Sequence, residues 1–434
     1  MLNNLVSDLS SYKKIAIFGF GKEGKSFYDF ALKYLPNVKL LIVDAKSPSG
    51  VQESKSVKFF TGKDYLLGLS KVDIIVKSPG ISLYKLGIAY DEYNFTSTTE
   101  LFIKHFKKQI VGVTGTKGKS TLVSIIYELL KNSKRQVVLC GNIGTPAFDM
   151  IESIDVETQI VMELSSHQLL NIKYSPHIAI LTNLFQDHLD YYKSLEEYYD
   201  AKFNIFRFQD EDDRIILNLQ EPYRDLNSKI FKTKNLTNVF THKLNQPIEF
   251  NIENGFIHKS SLQILERLVD ILAIDKEIYF QTISTFKTLP HRLEYVDRVN
   301  NLAFINDSIS TIPEATMEAI KILKNVQSLI LGGYDRGIEY DALVEFLVAS
   351  SVENIVLFSD TGKIIYDKLQ EKENSLNVRY VNSLEESVKK VFTFSKNEDA
   401  IALFSPAASS FNEYKNFMER GEEFKRVVQE LKTT

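Results

Sequence analysis

The sequence lacks several features that would place a protein in a class at once. Its 434 residues contain one cysteine, Cys140, so no internal disulfide can form, and this residue lies outside any Cys/His cluster with metal-ligand spacing. So little cysteine is typical of a reducing cytoplasm. No run approaches the roughly 18 apolar residues of a membrane span, and the first residues do not combine a basic region with a long apolar one. We therefore expect a cytoplasmic protein that neither crosses a membrane nor is secreted.

A surplus of one charge is also missing. Lys and Arg number 52 against 56 Asp and Glu, which gives a formal net charge of -4. The charges alternate along the chain without gathering into tails or basic blocks. Nucleic acid is therefore not expected as a main partner, because binding it requires a concentrated basic surface.

What the sequence does have is length and a regular apolar pattern. At about 150 residues per domain, the 434 residues predict roughly three domains, and 44% apolar residues suffice for a core in each. Apolar runs of about 5 to 8 residues alternate with amphipathic segments of about 10 to 15. This alternation predicts an α/β fold with parallel sheets.

We place the predicted domains at residues 1–107, 108–290 and 291–434. The first has the pattern of a small Rossmann-type domain, and the third repeats it as a second nucleotide-type domain. The middle domain includes a β-rich, turn-rich stretch around residues 213–258. The predicted strands lie in the segments KKIAIFGFG, KLLIVDA, VDIIVKSPG, QIVGVTG, TQIVMEL, HIAILTNL, LAFIND, SLILGG, NIVLFSD, VRYVNS and DAIALFSP.

A glycine-rich stretch, GVTGTKGKST, joins a buried strand to a helix at residues 112–121. Backbone N–H groups and a helix N-terminus converge at such a junction, which suits a polyphosphate. Lys119 would contact the β- and γ-phosphates, and the Ser120 hydroxyl would bind Mg²⁺. The match to GxxxxGK[ST] is imperfect because Val113 occupies the first glycine site, and the alternative is a turn without a ligand. The residues predicted to bind ATP in this loop are Gly115, Thr116, Lys117, Gly118, Lys119, Ser120 and Thr121.

Two further polar clusters follow strands of the same predicted domain. ELSSH begins at Glu163, and NLFQDH ends at His188. Because the carboxyl ends of parallel strands open on one crevice, Glu163 and His188 are predicted to form a magnesium shell beside the phosphates. The structural alternatives are a helix cap for Glu163 and an ordinary loop histidine for His188. We assign His167 and Cys140 to packing or local hydrogen bonding.

The first domain carries the pattern GFGKEG at residues 19–24 between a strand and a helix, and Asp44 ends the next strand. Alone, this pattern indicates a dinucleotide-binding turn. It competes with a turn that holds another phosphate-bearing nucleotide and with a purely structural turn. Ser78, Pro79 and Gly80 supply another polar turn at the same edge of the sheet.

The motifs occur in an order that resembles the Mur ligases of peptidoglycan synthesis, and the resemblance covers essentially the whole chain. It implies three-domain Mur ligase architecture and a cytoplasmic, commonly monomeric enzyme. The implied reaction is the ATP-dependent joining of glutamate, in the first instance D-glutamate, to UDP-N-acetylmuramoyl-L-alanine through an acyl phosphate. The motifs, in chain order, are GxGxxG, SPG, TGTKGKST, GNIG, ELSSHQL, TNLFQDH, LPHR, NDS, LGG and SPAASSFNEYKNFMERG.

The resemblance also implies roles in the middle domain. Lys119 matches the P-loop lysine of the family, Ser120 and Glu163 match the first magnesium site, and His188 matches a ligand of the second metal. Asn142 of GNIG matches an asparagine near the transferring phosphate and the substrate.

Lys202 matches a lysine that the family carbamylates with CO₂. A free ammonium would be repelled by Mg²⁺, whereas a carbamate is an anion that can bind it. Only the neutral amine reacts with CO₂, so the usual lysine pKa of about 10.4 would have to fall. From the helical pattern alone, Lys202 would be an ordinary exposed lysine.

Substrate contacts are implied in the outer domains. Gly21, Asp44, Ser78, Pro79 and Gly80 would hold the uridine diphosphate of the UDP-sugar. In the third domain, Arg292 and Asp307 match residues that contact ATP. The residues that align with positions holding the incoming amino acid are Thr311, Arg336, Ser410 and Phe417.

Two departures from the family pattern bear on specificity. Ile309 replaces a lysine near the glutamate site, which leaves L-glutamate or another amino acid as an alternative. A pattern that usually lies near the adenine is degraded at His258, with Gln263 as a substitute. Two alternatives from other classes also remain open: a P-loop nucleotide switch and a nicotinamide-binding oxidoreductase.

Overall fold

The structure is a computed structural model with two compact units, one formed by Met1–Gln246 and Lys259–Thr282, the other by Pro247–His258 and Ile283–Thr434. Within the described ranges, no helix is both long and apolar enough to span a bilayer. The domain boundaries near residues 107 and 290 stay predictions. The described residues are 1–185, 191–219, 233, 235–240, 242–244, 252–254, 256–323, 325–394, 400–411 and 413–432.

The first sheet in the chain is parallel throughout and has the strand order β3-β2-β1-β4-β5. Its central strands are buried on both faces, as a parallel sheet requires, because α-helices pack on one face and a 3₁₀ helix, Tyr65–Lys71, packs on the other. The apolar runs predicted β1, β2 and β4, but Lys58 interrupts β3 and β5 has only two residues, so neither gives such a run. The elements are α1 (Leu2–Ser10), β1 (Lys14–Phe18), α2 (Lys22–Tyr34), β2 (Lys39–Val43), β3 (Val57–Phe60), β4 (Ile74–Lys77), β5 (Phe95–Thr96) and α3 (Thr98–Phe106).

The second sheet is also parallel, with the order β11-β10-β9-β6-β8-β7. The predicted β-rich stretch contains β10 and β11, and much of the rest of it lies outside the described residues. The elements are β6 (Ile110–Thr114), α4 (Lys119–Asn132), β7 (Val137–Gly141), β8 (Gln159–Glu163), α5 (Ser166–Leu169), β9 (Ile178–Leu181), α6 (Leu195–Arg207), β10 (Arg214–Leu217), β11 (Leu236–Asn238), α7 (Lys259–Leu272) and α8 (Lys276–Thr285).

The third sheet has the order β12-β13-β17-β14-β15-β16. The five predicted strands pair in parallel, and β12, which the sequence did not predict, joins the edge antiparallel to β13. The elements are β12 (Glu294–Val299), β13 (Leu302–Asn306), α9 (Pro313–Leu323), β14 (Val326–Gly332), α10 (Asp341–Ala349), β15 (Asn354–Phe358), α11 (Ser359–Gln370), β16 (Asn377–Val381), α12 (Leu384–Phe394), β17 (Ala400–Phe404) and α13 (Phe417–Glu430).

Strand order decides where each sheet can hold a ligand. β1 lies between β2 and β4, β6 lies between β8 and β9, and β17 lies between β13 and β14. In each sheet, the chain reverses its direction of winding at these neighbours, so the loops at their carboxyl ends open a crevice. The described residues predicted to bind ATP, metal or substrates lie in or near loops at the carboxyl edges of the three sheets, with the exception of Lys202 on α6.

A buried ionic cluster lies at the amino-terminal edge of the second sheet, where β10 begins. The Asp213 carboxylate is fully buried and lies 2.8 Å from His177 Nδ1 and 2.7 Å from Lys107 Nζ. It also accepts a hydrogen bond of 2.7 Å from the backbone N–H of Asp210. Burial alone would raise the pKa of Asp213, but the hydrogen bonds from His177 and Lys107 lower this pKa to about 2.

This cluster predicts acid sensitivity. Because the pKa of Asp213 is lower in the folded than in the unfolded chain, its stabilisation is present above pH 4 and is lost as the pH falls towards 2. We expect Asp213→Asn to lower the free energy of unfolding at pH 7 by about 2 kcal/mol and to flatten the loss of stability between pH 4 and 2. Denaturant unfolding at several pH values measures both effects. Asp212→Asn, at the exposed position just before Asp213, is the matched control, and equal effects of the two variants would contradict the prediction.

Candidate functional site

The loop between β6 and α4 is shaped by glycine. Gly115 has φ +146°, and a Cβ there would lie 1.9 Å from the Thr182 Oγ1 atom. Gly118 has φ +81° and is the N-cap of α4. No other residue fits position 115 without moving β9, so the loop lies directly against the next strand. Its backbone leads into the N-terminus of a 14-residue helix, which is a favourable place for phosphate.

The loop after β9 fixes the same glycine-rich loop from the side. The Asn183 side chain accepts a hydrogen bond of 2.8 Å from Lys117 N and donates one of 3.0 Å to Lys117 O. Thr182 Oγ1 donates to the same carbonyl oxygen at 2.8 Å. Thr116 donates its N–H to Asn183 O, and its hydroxyl lies 3.1 Å from the Tyr198 hydroxyl. These contacts of Thr182, Asn183 and Tyr198 were not predicted from the sequence.

Two lysines meet at one carbonyl oxygen of this loop. Lys119 Nζ donates to Gly115 O at 2.9 Å and to Thr116 O at 3.1 Å. Lys202 Nζ also donates to Gly115 O at 2.9 Å. The expectation that Lys202 is exposed was wrong: its α6 face is buried, and the side chain is 2% exposed. The structure therefore brings Lys202 and Lys119 together although 83 residues separate them in the chain.

A buried carboxylate ends the neighbouring strand β8. Glu163 is 1% exposed and stands beside Val113 of β6 in the register. Its Oε1 atom accepts a hydrogen bond of 2.7 Å from Asn142 Nδ2, and its Oε2 atom is buried without a hydrogen-bond partner. A buried carboxylate oxygen normally has a partner, so the Oε2 atom fits a hard cation such as Mg²⁺, which prefers oxygen ligands.

The other predicted members of this site lie close by in the chain. Ser120 is buried and Thr121 is half-buried, both in the first turn of α4. His188 lies outside the described residues. Within the described ranges, no group of three or more His, Cys, Asp or Glu side chains has the geometry of a metal site. The carboxyl edge of the second sheet thus brings together Lys119, Asn142, Glu163 and Lys202.

Glycine also shapes the turn after β1 in the first sheet. Gly19 has φ +91°, and a Cβ on Gly24 would lie 2.1 Å from Gly19 O. Gly21 is the N-cap of α2 and is exposed. This turn therefore brings the N-terminus of α2 close to β1, as in a nucleotide-binding turn.

The loops after β2 and β4 meet at that turn. Asp44 accepts hydrogen bonds from Phe20 N at 2.7 Å and from Lys46 N at 2.9 Å, one on each carboxylate oxygen. Ser78 Oγ donates to Gly19 O at 2.7 Å. Pro79 and Gly80 follow in the same loop. The structure brings the five residues predicted to hold the UDP-sugar to one edge.

In the third sheet, Asp307 directly follows β13 and is buried. Its Oδ2 atom accepts hydrogen bonds from Ser310 Oγ at 2.5 Å and Ser405 Oγ at 2.9 Å. Burial raises the pKa of Asp307 to about 6, although these hydrogen bonds oppose the change. Arg292 precedes β12 in the same unit and favours the charged form of this carboxylate.

The four residues predicted to hold the amino acid lie after neighbouring strands. Thr311 follows β13, Arg336 is exposed after β14, Ser410 is buried after β17, and Phe417 begins α13. The loops after β14 and β17 pair through Tyr334 N, which donates to Ser409 O at 2.8 Å. Strand order thus brings three of these loops to one edge.

A buried cation that was not predicted from the sequence, Arg420, organises these loops. Its guanidinium is 0% exposed and donates to Ser308 O at 2.8 Å and to Ala408 O and Ser409 O at 3.0 Å each. Burial lowers the pKa of Arg420 to about 10, so it stays charged at neutral pH. The signal in the sequence is the position of Arg420 on the apolar face of α13, in helical register with Phe424 and Val427.

Ile309, which departs from the family pattern, and Gln263, the predicted substitute near the adenine, both form hydrogen bonds. Ile309 is half-buried, and its N–H donates to His291 O at 3.2 Å. Gln263 lies in α7, where its amide donates to the backbone carbonyl of His242. The adenine contacts stay a prediction.

Comparison with known proteins identifies the chain. A model of the Mur ligase middle domain matches residues 113–281. The UDP-N-acetylmuramoylalanine--D-glutamate ligase of Clostridium kluyveri is 32% identical over an alignment of 461 positions, gaps included. The alignment covers 96% of this chain and 97% of the relative. The enzyme of the same name from Acetivibrio thermocellus is 31% identical over 452 residues, again 96% and 97% of the two chains. The chain belongs to the Mur ligase family.

Solved Mur ligases share the fold at low identity. MurF from Acinetobacter baumannii has a TM-score of 0.60 at 13% identity, covering 99% of this chain and 98% of that one. The UDP-N-acetylmuramate-alanine ligase MurC of Thermotoga maritima has a TM-score of 0.57 at 17% identity, covering 96% and 99%. The predicted α/β Mur ligase architecture is confirmed. As a Mur ligase, the chain is an ATP-dependent, ADP-forming amide ligase.

The orphaned oxygen of Glu163 gives a test of this site. In Glu163→Gln, the amide oxygen can still accept from Asn142, but the charge for Mg²⁺ is lost, and we expect ADP formation to fall about 100-fold or more. A titration with MgCl₂ should show a higher half-saturating concentration. Glu157→Gln, at an exposed position before β8, is the matched control. Unchanged magnesium dependence in Glu163→Gln would show that this carboxylate is structural.

Proposed function

We propose that the chain joins D-glutamate to the lactyl-alanine carboxyl of UDP-N-acetylmuramoyl-L-alanine, with ATP cleaved to ADP and phosphate. The observation that carries the proposal is the carboxyl edge of the second sheet, where a glycine-rich loop, Lys119 and the unsatisfied Glu163 oxygen lie side by side. The substrates are proposed from the names of full-length relatives at 31% to 32% identity.

The chemistry explains why such a site needs no protein nucleophile. A carboxylate does not condense with an amine in water, because its oxygen is a poor leaving group at neutral pH. Transfer of the γ-phosphoryl group of ATP to the carboxylate gives an acyl phosphate and ADP. The amine of glutamate then attacks the carbonyl carbon, and the tetrahedral intermediate loses a proton from nitrogen and expels phosphate. Positioning and charge neutralisation are therefore what the protein contributes.

The candidate residues at the carboxyl edge of the second sheet each have a role in this scheme. When ATP binds, Lys119 would give up its hydrogen bonds to the Gly115 and Thr116 carbonyls, and its ammonium would neutralise negative charge on the phosphates. Asn142 orients the Glu163 carboxylate through the hydrogen bond of 2.7 Å. Ser120 and Glu163 would hold Mg²⁺, with His188 as a further ligand. Magnesium bound there supplies positive charge against the developing charge of the transferred phosphoryl group.

The outer sheets supply the two other substrates in this proposal. Gly21, Asp44 and Ser78 would hold the uridine diphosphate of the acceptor. Arg336, an exposed cation, would pair with a carboxylate of glutamate, since guanidinium binds carboxylates with two parallel hydrogen bonds. The set is completed by Pro79, Gly80, Thr311, Ser410 and Phe417, with Arg292 and Asp307 as contacts to ATP.

The location and assembly of the enzyme are part of the same proposal. The one cysteine, Cys140, is fully buried in β7, where burial raises the pKa of its thiol to about 12. A buried, unreactive thiol supports a reducing compartment, the cytoplasm. We propose that the chain acts there as a monomer, without nucleic acid or membrane as a partner.

The substrates can be tested by ADP release. ADP should appear only when UDP-N-acetylmuramoyl-L-alanine and an amino acid are both present, with D-Glu preferred over L-Glu. Lys119→Ala should abolish the signal, while Lys131→Ala, an exposed lysine of the same helix, should not. Because Ile309 stands where the family has a lysine, L-Glu is tested alongside, and a preference for it would overturn the D-glutamate assignment. Steady ATP turnover without either substrate would favour a nucleotide switch instead.

We further propose that Lys202 is carbamylated. Its Nζ atom lies 2.9 Å from Gly115 O, in the loop proposed to hold the phosphates, so a carbamate there would place an anion beside the metal. Lys202→Ala should lose nearly all ADP formation and regain part of it when a short-chain carboxylic acid is added. Lys193→Ala, at an exposed lysine just before α6, is the control. Full activity of Lys202→Ala without any additive would remove this residue from the site.

A further inference from the structure

The loop after β4 rests on a buried cation that forms no ion pair with any carboxylate in the described part of the chain. Lys77 is the last residue of β4 and is 5% exposed. Its Nζ atom donates to Ser78 O at 3.0 Å and to Ile81 O at 2.9 Å, and both acceptors are neutral carbonyls. Among the described residues, no carboxylate forms an ion pair with this ammonium. Burial of an unpaired charge is costly, so a nearby anion is expected to compensate it.

A second side chain holds the same loop from the other side. Tyr191 lies in the chain between β9 and α6, and its hydroxyl lies 2.9 Å from both Pro79 O and Ile81 O. Its ring packs edge-on against the His167 ring, with centroids 4.1 Å apart. Ile81 O is thus an acceptor for both the ammonium of Lys77 and the phenol of Tyr191.

These contacts determine which backbone groups the loop presents. In a trans peptide, the C=O and the following N–H point in opposite directions. The Pro79 carbonyl is held by Tyr191, so the N–H of Gly80 points away from Tyr191. Gly80 is exposed, and its N–H makes no hydrogen bond within the described part of the chain. An exposed N–H above a buried positive charge is a suitable donor for a phosphate oxygen.

We propose that Lys77 and Tyr191 are positioning residues for the diphosphate of the nucleotide-sugar substrate. Together they hold the carbonyls of the loop at residues 78–81 inward, so that the Gly80 N–H faces the ligand, and the Lys77 ammonium attracts the diphosphate from beneath. This inference rests on the proposed function, because it requires the nucleotide-sugar to bind at the first sheet.

Electrostatics supports the role of Lys77. Burial lowers the pKa of Lys77 to about 8, although the charge of Glu23 opposes this change. The other titratable group at the loop, the phenol of Tyr191, has its pKa raised by burial to about 12 and stays neutral. Glu23 itself accepts hydrogen bonds from Thr98 at 2.5 Å and Gln168 at 2.8 Å. A bound diphosphate would favour the charged form of Lys77, so binding and protonation should be linked.

The test is calorimetric titration of the full chain with UDP-N-acetylmuramoyl-L-alanine, and separately with ATP. Lys77→Met and Tyr191→Phe each keep most of the side-chain volume, and each should weaken binding of the nucleotide-sugar about tenfold while the affinity for ATP stays within about twofold. The double variant should lose less than the product of the two effects, because both groups share Ile81 O.

The pH dependence separates a charge effect from a packing effect. Between pH 7 and 9, the affinity of the unmodified chain for the nucleotide-sugar should fall about three- to tenfold more than that of Lys77→Met. Titration of the uracil ring is common to both proteins and cancels in the comparison. Parallel pH profiles would overturn the role of the Lys77 charge.

Matched controls lie on α2. Lys33→Met and Tyr34→Phe remove an ammonium and a phenol that bind Glu152, far along the chain from the loop, and they should bind the nucleotide-sugar as the unmodified chain does. Unchanged affinity in Tyr191→Phe, or an equal loss of ATP affinity in both loop variants, would overturn the inference. If the unmodified chain itself does not bind the nucleotide-sugar, the proposed function fails and the inference with it.

Discussion

The close approach of the loop after β6 to strand β9 is the constraint on which the middle site depends. A Cβ at residue 115 would lie 1.9 Å from Thr182 Oγ1, so only glycine allows the loop to lie there. That position exposes Gly115 O to Lys119 and Lys202 at the same time. Because the loop lies at the carboxyl edge, it also stands beside Glu163 on β8. Because Gly115 has no side chain, the N-terminus of α4, the two lysines and the Glu163 carboxylate can lie close together.

The crevices of the first two sheets each contain a buried ionic group that the protein leaves partly unsatisfied. Glu163 Oε2 has no hydrogen-bond partner, and Lys77 donates only to neutral carbonyls. Such groups reduce the stability of the free protein, and ligands of opposite charge restore the balance. Substrate binding is therefore expected to stabilise the enzyme as well as to start the reaction.

Much of the fold and of the candidate site could be predicted from the sequence, because the central strands are apolar runs and glycines follow several of them. The central strands, the glycine-rich loop and the polar residues after β8 and β9 follow from that pattern. The short strands β3 and β5 and the antiparallel β12 could not be predicted, since pairing with a neighbour forms them. Lys202 was expected on an exposed face because periodicity does not tell which side of an isolated helix a sheet will cover.

Side chains that act on backbone carbonyls were the hardest to foresee. Tyr191 and Lys77 contact the loop at residues 78–81 through main-chain oxygens, which leave no trace in residue identity. Asn183 is similar, since its side chain forms hydrogen bonds with the backbone N–H and C=O of Lys117 in the glycine-rich loop. Such contacts form where two loops that are far apart in the chain become neighbours. The order of the strands in the sheet determines which loops these are.

The guanidinium of Arg420 has a consequence for how the amino-acid specificity of the enzyme could change. It donates to Ser308 O, Ala408 O and Ser409 O, so one side chain of α13 links the segments that follow β13 and β17. A change in the length of either segment would strain all three attachments together. Natural or engineered variants with a new amino-acid preference should therefore differ in the side chains around the proposed amino-acid site and retain its backbone framework.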